Sequence, residues 1–137
     1  MFVHLNTHSI YSPMRGLLSL PEIMDLAKSC SMGTLALTDV NGLWGFIRFV
    51  QHCRSSRINP IAGVNLITSK QEVLILVENQ HGYENLCRII SSIHDDPNGD
   101  IPDILRKYHS GVFVLGYDIS ILKAVSYTHL RAHETHE

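Results

Sequence analysis

Three polar residues on alternate positions, His4, Asn6 and His8, lie within the apolar stretch that opens this chain, Phe2-Val3-His4-Leu5-Asn6-Thr7-His8-Ser9. On an extended strand residues two apart share a face, so Asn6 and His8 are expected to project together, where a pair of imidazoles would grip a divalent ion. An ion held that way activates water for hydrolysis. Asn6 breaks the pair, because an amide oxygen is a poor donor to a borderline-soft ion such as zinc. His4 shares the face but sits one pleat away, about 7 Å along the strand, too far to replace Asn6 as a ligand. The pattern is that of a metal-site scaffold from which the metal has been removed. A second histidine group, His129, His133 and His136, has the four-and-three spacing that stacks imidazoles on one helix face. It lies in a segment with no apolar periodicity and no supporting shell, and residues 125–137 read instead as a non-native tail resembling adapter read-through.

The elements that must position these residues follow from hydrophobic period. Phe2–Ser9 reads as a short buried strand. Ser19-Leu20-Pro21-Glu22 is a capping box with proline in the first turn, and Ile23, Leu26, Ala27 and Cys30 continue it at helical spacing. Gly33 ends that helix, and Thr34–Leu37 is a short apolar strand leaving through Thr38-Asp39-Val40-Asn41-Gly42. Phe46, Phe49, Val50 and Cys53 stripe a second helix, with Arg48, Gln51 and Arg54 turned elsewhere. Ile58–Thr68 is expected to be a strand interrupted at Pro60 and Gly63, and Val73–Val77 a strand buried on both faces. A helix carrying Tyr83, Leu86, Cys87 and Ile90, a short helix Pro102–Tyr108 and a strand Gly111–Leu115 complete the readable pattern. Alternating strands and amphipathic helices predict an α/β fold with mainly parallel strands, supplying about half of the eight strands a barrel needs.

At 137 residues with 45% hydrophobic and 18% charged content, the chain has an ordinary globular composition. A formal charge of −2 gives no general basic field, so tight nucleic-acid binding is not expected and any binding must use a local patch. Arg48, His52, Arg54 and Arg57 form one such group that could meet phosphates, for which a solvated face is the simpler reading, and Trp44 beside Leu43 and Phe46 is either a base-stacking platform or, more simply, a residue packed in the core or its rim. The odd, widely spaced Cys30, Cys53 and Cys87, each in an apolar helical pattern, read as buried reduced thiols, consistent with the cytoplasm. No charged leader precedes a long apolar run and no apolar stretch would span a membrane. The acidic run Asp95–Asp103 lacks the spacing of a calcium loop.

The order of these segments resembles the polymerase-and-histidinol-phosphatase (PHP) domain, in the version found at the N-terminus of bacterial DNA polymerase III alpha subunits. The resemblance rests on Phe2–Ser9 with Tyr11-Ser12 and Gly16-Leu17-Leu18-Ser19, on Ala36-Leu37-Thr38-Asp39 with Gly42-Leu43-Trp44-Gly45, on Pro60-Ile61-Ala62-Gly63, and on Val73–Val77 followed by Gly82-Tyr83-Glu84-Asn85-Leu86. It implies a partial (β/α) barrel, the first half of a PHP domain over residues 1–124, and a parent DNA-directed DNA polymerase working in replication or error-prone synthesis. In family members that keep activity, a metal cluster at the strand ends hydrolyses phosphoesters. Here its ligand positions fall on Asn6, His8, Asp39, Val40 and Asn65, with Arg15 and His4 adjacent, so the resemblance implies a vestigial site without catalytic residues. Asp39 is then either a relic or, more simply, a cap satisfying backbone N–H groups at the second helix, and Asn6 and Asn65 are candidates to pair by their amides. The implied role is a scaffold that needs no metal of its own, magnesium belonging to the polymerase domain. Implied partners are the remaining polymerase domains, a proofreading exonuclease subunit and, through the parent, DNA. The alternatives are a zinc- or manganese-dependent phosphoesterase or 3'-5' exonuclease, and a free-standing binding domain.

Overall fold

The computed structural model describes residues 2–116 and 118–125. Its elements, in chain order, are α1 (Leu20–Ser29), β1 (Thr34–Leu37), α2 (Phe46–Ser56), β2 (Asn59–Ile67), β3 (Glu72–Val77), α3 (Gln80–Asp95), α4 (Ile101–Tyr108) and β4 (Val112–Leu115). Residues 119–125 are helical, so Val125, placed in the tail by its sequence, lies within the last described helix and is buried. His129, His133 and His136 lie outside the described residues. The fold is mixed α/β, as the alternation of elements predicts, and the chain divides into two compact units at Asn65.

In the first unit, Ser19 caps α1: its Oγ accepts from the Glu22 N–H at 3.4 Å and donates to Glu22 Oε1 at 2.8 Å. Leu20, Ile23, Met24 and Ala27 form the inward stripe of α1 and meet Leu35, Leu37, Phe49, Cys53 and Ile58 in one core. Phe49 is fully buried, worth about 1.5–3 kcal/mol of transfer free energy. β1 and β2 run parallel, Ala36 opposite Ile61. β2 is interrupted at neither Pro60 nor Gly63 and runs unbroken over Asn59–Ile67. The Asn59 N–H donates to the Gly33 carbonyl at 2.9 Å, so the next nitrogen, on Pro60, faces away from β1 and its missing hydrogen leaves that ladder intact.

Phe2–Ser9 is not a buried strand. It is an extended arm held to β1 by the Ala36 N–H on the His4 carbonyl at 3.2 Å and the Thr38 N–H on the Thr7 carbonyl at 2.8 Å. The arm advances three residues where β1 advances two, so a regular ladder cannot form. Phe2 and Leu5 are exposed accordingly.

In the second unit the chain turns where the Thr68 N–H donates to the Gln71 carbonyl at 2.8 Å, then enters β3, with Val73 and Ile75 buried. Asn79 caps α3 through Oδ1 on the Gly82 N–H at 2.9 Å. α3 buries Leu86, Ile89 and Ile93 and packs on β3, β4 and α4. Unlike the parallel β1–β2 pair, β4 is antiparallel to β3, with Val112 opposite Val77. One helix between strands returns the chain to the end where it started; two in succession, α3 and α4, deliver it to the other end. Gly82 is required where α3 meets the start of β4, because a Cβ there would lie 1.8 Å from the Gly111 carbonyl oxygen.

Candidate functional site

The arm, β1 and β2 bring Asn6, His8, Asp39, Val40 and Asn65 together within the first unit. An isolated parallel bridge joins Val40 to Asn65 beyond the regular β1–β2 ladder. The Asn65 N–H donates to the Asp39 carbonyl and the Asn41 N–H to the Asn65 carbonyl, both at 3.1 Å. These bonds extend the β1–β2 pairing past the regular ladder to Asp39, Val40 and Asn65.

Within this group only Asn65 and His8 bond to each other; Asn6 and Asp39 bond instead to two residue types that the ligand pattern did not single out, threonine and serine. Thr38 Oγ1 donates to Asn6 Oδ1 at 3.1 Å and accepts from the Thr7 N–H at 3.0 Å. The Asn65 amide nitrogen lies 3.2 Å from His8 Nε2. An amide NH₂ can only donate, so Nε2 accepts and its lone pair is engaged. The amides of Asn6 and Asn65 thus take Thr38 and His8 as partners in place of each other.

Asp39 is 2% exposed and is not a helix cap. The N-cap of α2 is Gly45, without a side-chain bond. Asp39 Oδ1 instead accepts from the Ser9 N–H and the Ser12 hydroxyl, each at 2.7 Å, and Oδ2 accepts from the Ser9 hydroxyl at 2.8 Å. Each hydroxyl in turn accepts a backbone donor, Ser9 from Tyr11 N–H at 3.2 Å and Ser12 from Val40 N–H at 2.9 Å. Gly16 closes the same loop: a Cβ there would fall 1.8 Å from the Ser9 carbonyl oxygen. Ser9 and Ser12 are fully buried polar residues. Their only sequence signal was their position just after the arm, where small hydroxyls suit turns and buried acceptors.

His4 is exposed and stacks edge-on with Phe2, ring centroids 4.6 Å apart. With Asn6 and His8 it lines a cavity of about 360 Å³ that Leu26, Cys30 and Met32 also border. Arg15 is an exposed residue of the turn after Ser12, its N–H bonded to the Ser12 carbonyl at 3.1 Å. Among the described residues, no three His, Cys, Asp or Glu side chains are grouped to hold a metal ion.

Trp44 does not join the core: it is 60% exposed, its ring lying over Gly42. Of the three cysteines expected to be buried only Cys53 is fully so, Cys30 at the end of α1 being exposed and Cys87 half-buried; burial pushes the Cys53 thiol up to about 11. No helix among the described residues is long and apolar enough to cross a membrane.

Comparison with known proteins agrees with this geometry. The PHP domain family matches residues 4–130. The DNA polymerase III subunit alpha of Bacillus subtilis is 31% identical over 122 residues, covering 83% of this chain and 11% of that protein. That of Borreliella burgdorferi is 30% identical over 131 residues, covering 81% and 11% respectively. The chain therefore spans about 11% of the length of these relatives. Among solved structures, an amidohydrolase from Chromobacterium violaceum superposes with a TM-score of 0.52 at 23% identity, over 68% of this chain and 33% of that one, a likeness of fold. The family match, over nearly the whole sequence, shows that this chain belongs to the PHP domain family.

Proposed function

We propose that this chain is the PHP unit of a DNA polymerase III alpha-type protein and serves it as a scaffold, with a metal site that has been converted into a hydrogen-bonded knot. The observation that carries this reading is the closure of the polar groups on one another: Asn6 on Thr38, His8 on Asn65, and Asp39 on Ser9 and Ser12. A divalent ion needs several donors aimed at one point, with lone pairs to spare. Here Val40 has no donor, Asn6 and Asn65 offer weak amide oxygens, and the His8 Nε2 lone pair is engaged, so the residues do not fit zinc or manganese. At Asn65, buried at 2% exposure, the amide stands where the family pattern has a glutamate, whose charge would be costly to bury without its ion. The relatives support the polymerase context, in which the partners are the other polymerase domains and a proofreading subunit in the cytoplasm, and DNA synthesis uses magnesium elsewhere in the protein.

The test is to dialyse the purified chain against zinc and manganese, measure bound metal by elemental analysis, and assay hydrolysis of a phosphodiester substrate with each. The expected result is less than about a tenth of an equivalent of metal and no turnover. Stoichiometric metal with metal-dependent cleavage would overturn the scaffold reading in favour of a phosphoesterase or exonuclease.

A further inference from the structure

Residues 40–71 contain no aspartate or glutamate, yet carry Arg48, Arg54, Arg57 and Lys70. α2 lies in this interval. It turns Phe49 and Cys53 inward, and at 100° per residue the opposite pole falls among Ile47, Gln51, Arg54 and Ser55, with Arg48 on its flank. All of these residues are exposed, as is Arg57 just past the helix end. The acidic residues that precede position 66 are Glu22, Asp25 and Asp39. Glu22 bonds Ser19, Asp25 is exposed on α1 and not on α2, and Asp39 is buried in its serine cradle. The overall charge of −2 therefore hides a local face of positive sign that bears no acidic side chain of its own.

Trp44 lies two residues before α2 begins. Its indole is seated on Gly42 so closely that a Cβ at that glycine would lie 2.2 Å from a ring carbon. A flat ring laid against a glycine and 60% exposed presents an aromatic surface to solvent. In the first turn of α2, Arg48 Nη1 donates to the Tyr11 hydroxyl at 3.1 Å, and the Tyr11 ring lies so close to Gly45, the residue after Trp44, that a Cβ there would fall 2.6 Å from it. Arg48 and Arg54 are then separated by about 9 Å along the axis at ~1.5 Å per residue.

An aromatic platform flanked by spaced guanidinium groups is the arrangement that binds unpaired bases by stacking and their phosphates by charge. We infer that Trp44 and the exposed face of α2, through Arg48, Gln51, Arg54 and Arg57, form a docking surface for a short single strand of nucleic acid. A duplex would meet the arginines but could not offer the indole an unstacked base. The inference is independent of the metal-site reading and survives its failure.

Trp44 is the single tryptophan of the chain, so its fluorescence reads this surface alone. Titrating the full chain with a twelve-nucleotide oligothymidylate at 50 mM salt is expected to quench that fluorescence saturably. With three phosphate contacts at about −0.7 each, affinity should fall about 20-fold between 50 and 200 mM salt. Arg54→Gln should flatten the salt slope by about 0.7. With a labelled strand read by anisotropy, Trp44→Ala should weaken binding about fivefold or more while Trp44→Phe retains most of it. Arg106→Gln, in the second unit, should change nothing. All these positions are exposed, and circular dichroism of each variant checks that folding is kept. The inference is overturned by absence of saturable quenching at 50 mM salt, or by binding that Trp44→Ala and Arg54→Gln leave unchanged. Equal response to heparin, to duplex of the same sequence, to an acidic peptide or to phosphatidylserine vesicles would likewise overturn it, since any of these would mean a surface that recognises anions without reading unpaired bases.

Discussion

Replacing Asp39 by alanine takes the acceptor away from three donors at a site that is 2% exposed. The Ser9 N–H is fixed by the main chain and cannot turn to another partner. The two serine hydroxyls can rotate, but each already accepts a backbone N–H, from Tyr11 or from Val40, and has only its hydrogen left to place. An orphaned buried donor costs about 1–3 kcal/mol, and the losses within one network overlap, so the sum should be about 3–5 kcal/mol. Asp39→Asn keeps an oxygen for the two Oδ1 bonds but sets an NH₂ group against the Ser9 hydroxyl, and should cost about 1–2 kcal/mol. Urea unfolding followed by circular dichroism measures both. At about 1–3 kcal/mol per molar of urea, alanine should lower the midpoint by about 1 M or more and asparagine by about half as much. Adding Ser12→Ala should cost little in the alanine background and about 1–2 kcal/mol in the native one. If Asp39→Ala costs less than about 0.5 kcal/mol, or if the two substitutions simply add, the carboxylate is not the centre of a network and the reasoning fails.

Gly82→Ala would drive a methyl group into the Gly111 carbonyl, so it should destabilise the second unit by about 2 kcal/mol or more, seen as a lower thermal midpoint, whereas Gly99→Ala, which meets its nearest atom at 3.0 Å, should cost less. Exposed Cys30 should react with a thiol reagent in the native protein, and buried Cys53 only at the rate of unfolding. Because the folded Cys53 thiol titrates at about 11 against 9.0 in an open chain, its contribution to stability is intact below pH 9 and is lost as pH rises toward 11; a Cys53→Ala variant, less stable from lost packing, should show a shallower alkaline decline in urea midpoint. Returning donors with Asn6→His, Val40→His and Asn65→Glu together should raise bound zinc from near none toward one equivalent by elemental analysis, if loss of those donors is what keeps the ion out.

Elements whose chemistry is local could be read from the residues. The Ser19–Glu22 capping box starts α1 where expected, and β3 is confined to an apolar run with polar letters at both ends. The arm misled because Phe2, Val3 and Leu5 have the composition of a buried strand, while burial depends on a neighbour and the offset of its bonds to β1 denies it a regular one. Antiparallel β4 was equally hidden: α3 and α4 are each visible as helices, but the direction in which the second returns the chain is set by how both pack on β3. The meeting of Asn6, His8, Asp39 and Asn65 followed from the family resemblance. Their choice of partners did not, because an amide takes a threonine or another amide according to differences of an ångström at the strand ends. Ser9 and Ser12 lie 30 and 27 residues from the carboxylate they hold, a distance over which no sequence period speaks. Trp44 was read from its apolar neighbours, and the ring turned the other way, onto Gly42.

The arm that carries Asn6 and His8 is fastened by groups from the far side of a long excursion: Ser9 reaches Asp39 across 30 positions. Closing a loop of that size costs about 3 kcal/mol of chain entropy, so the fastening holds only after α1 and β1 have formed. The first eight residues should accordingly be the last of their unit to settle during renaturation and the first to let go under mild stress. A pull from ahead of the arm meets the bonds at the His4 and Thr7 carbonyls first and the buried Asp39 carboxylate last, which makes exchange of the Ser9 amide hydrogen a gauge of whether the whole arm has let go.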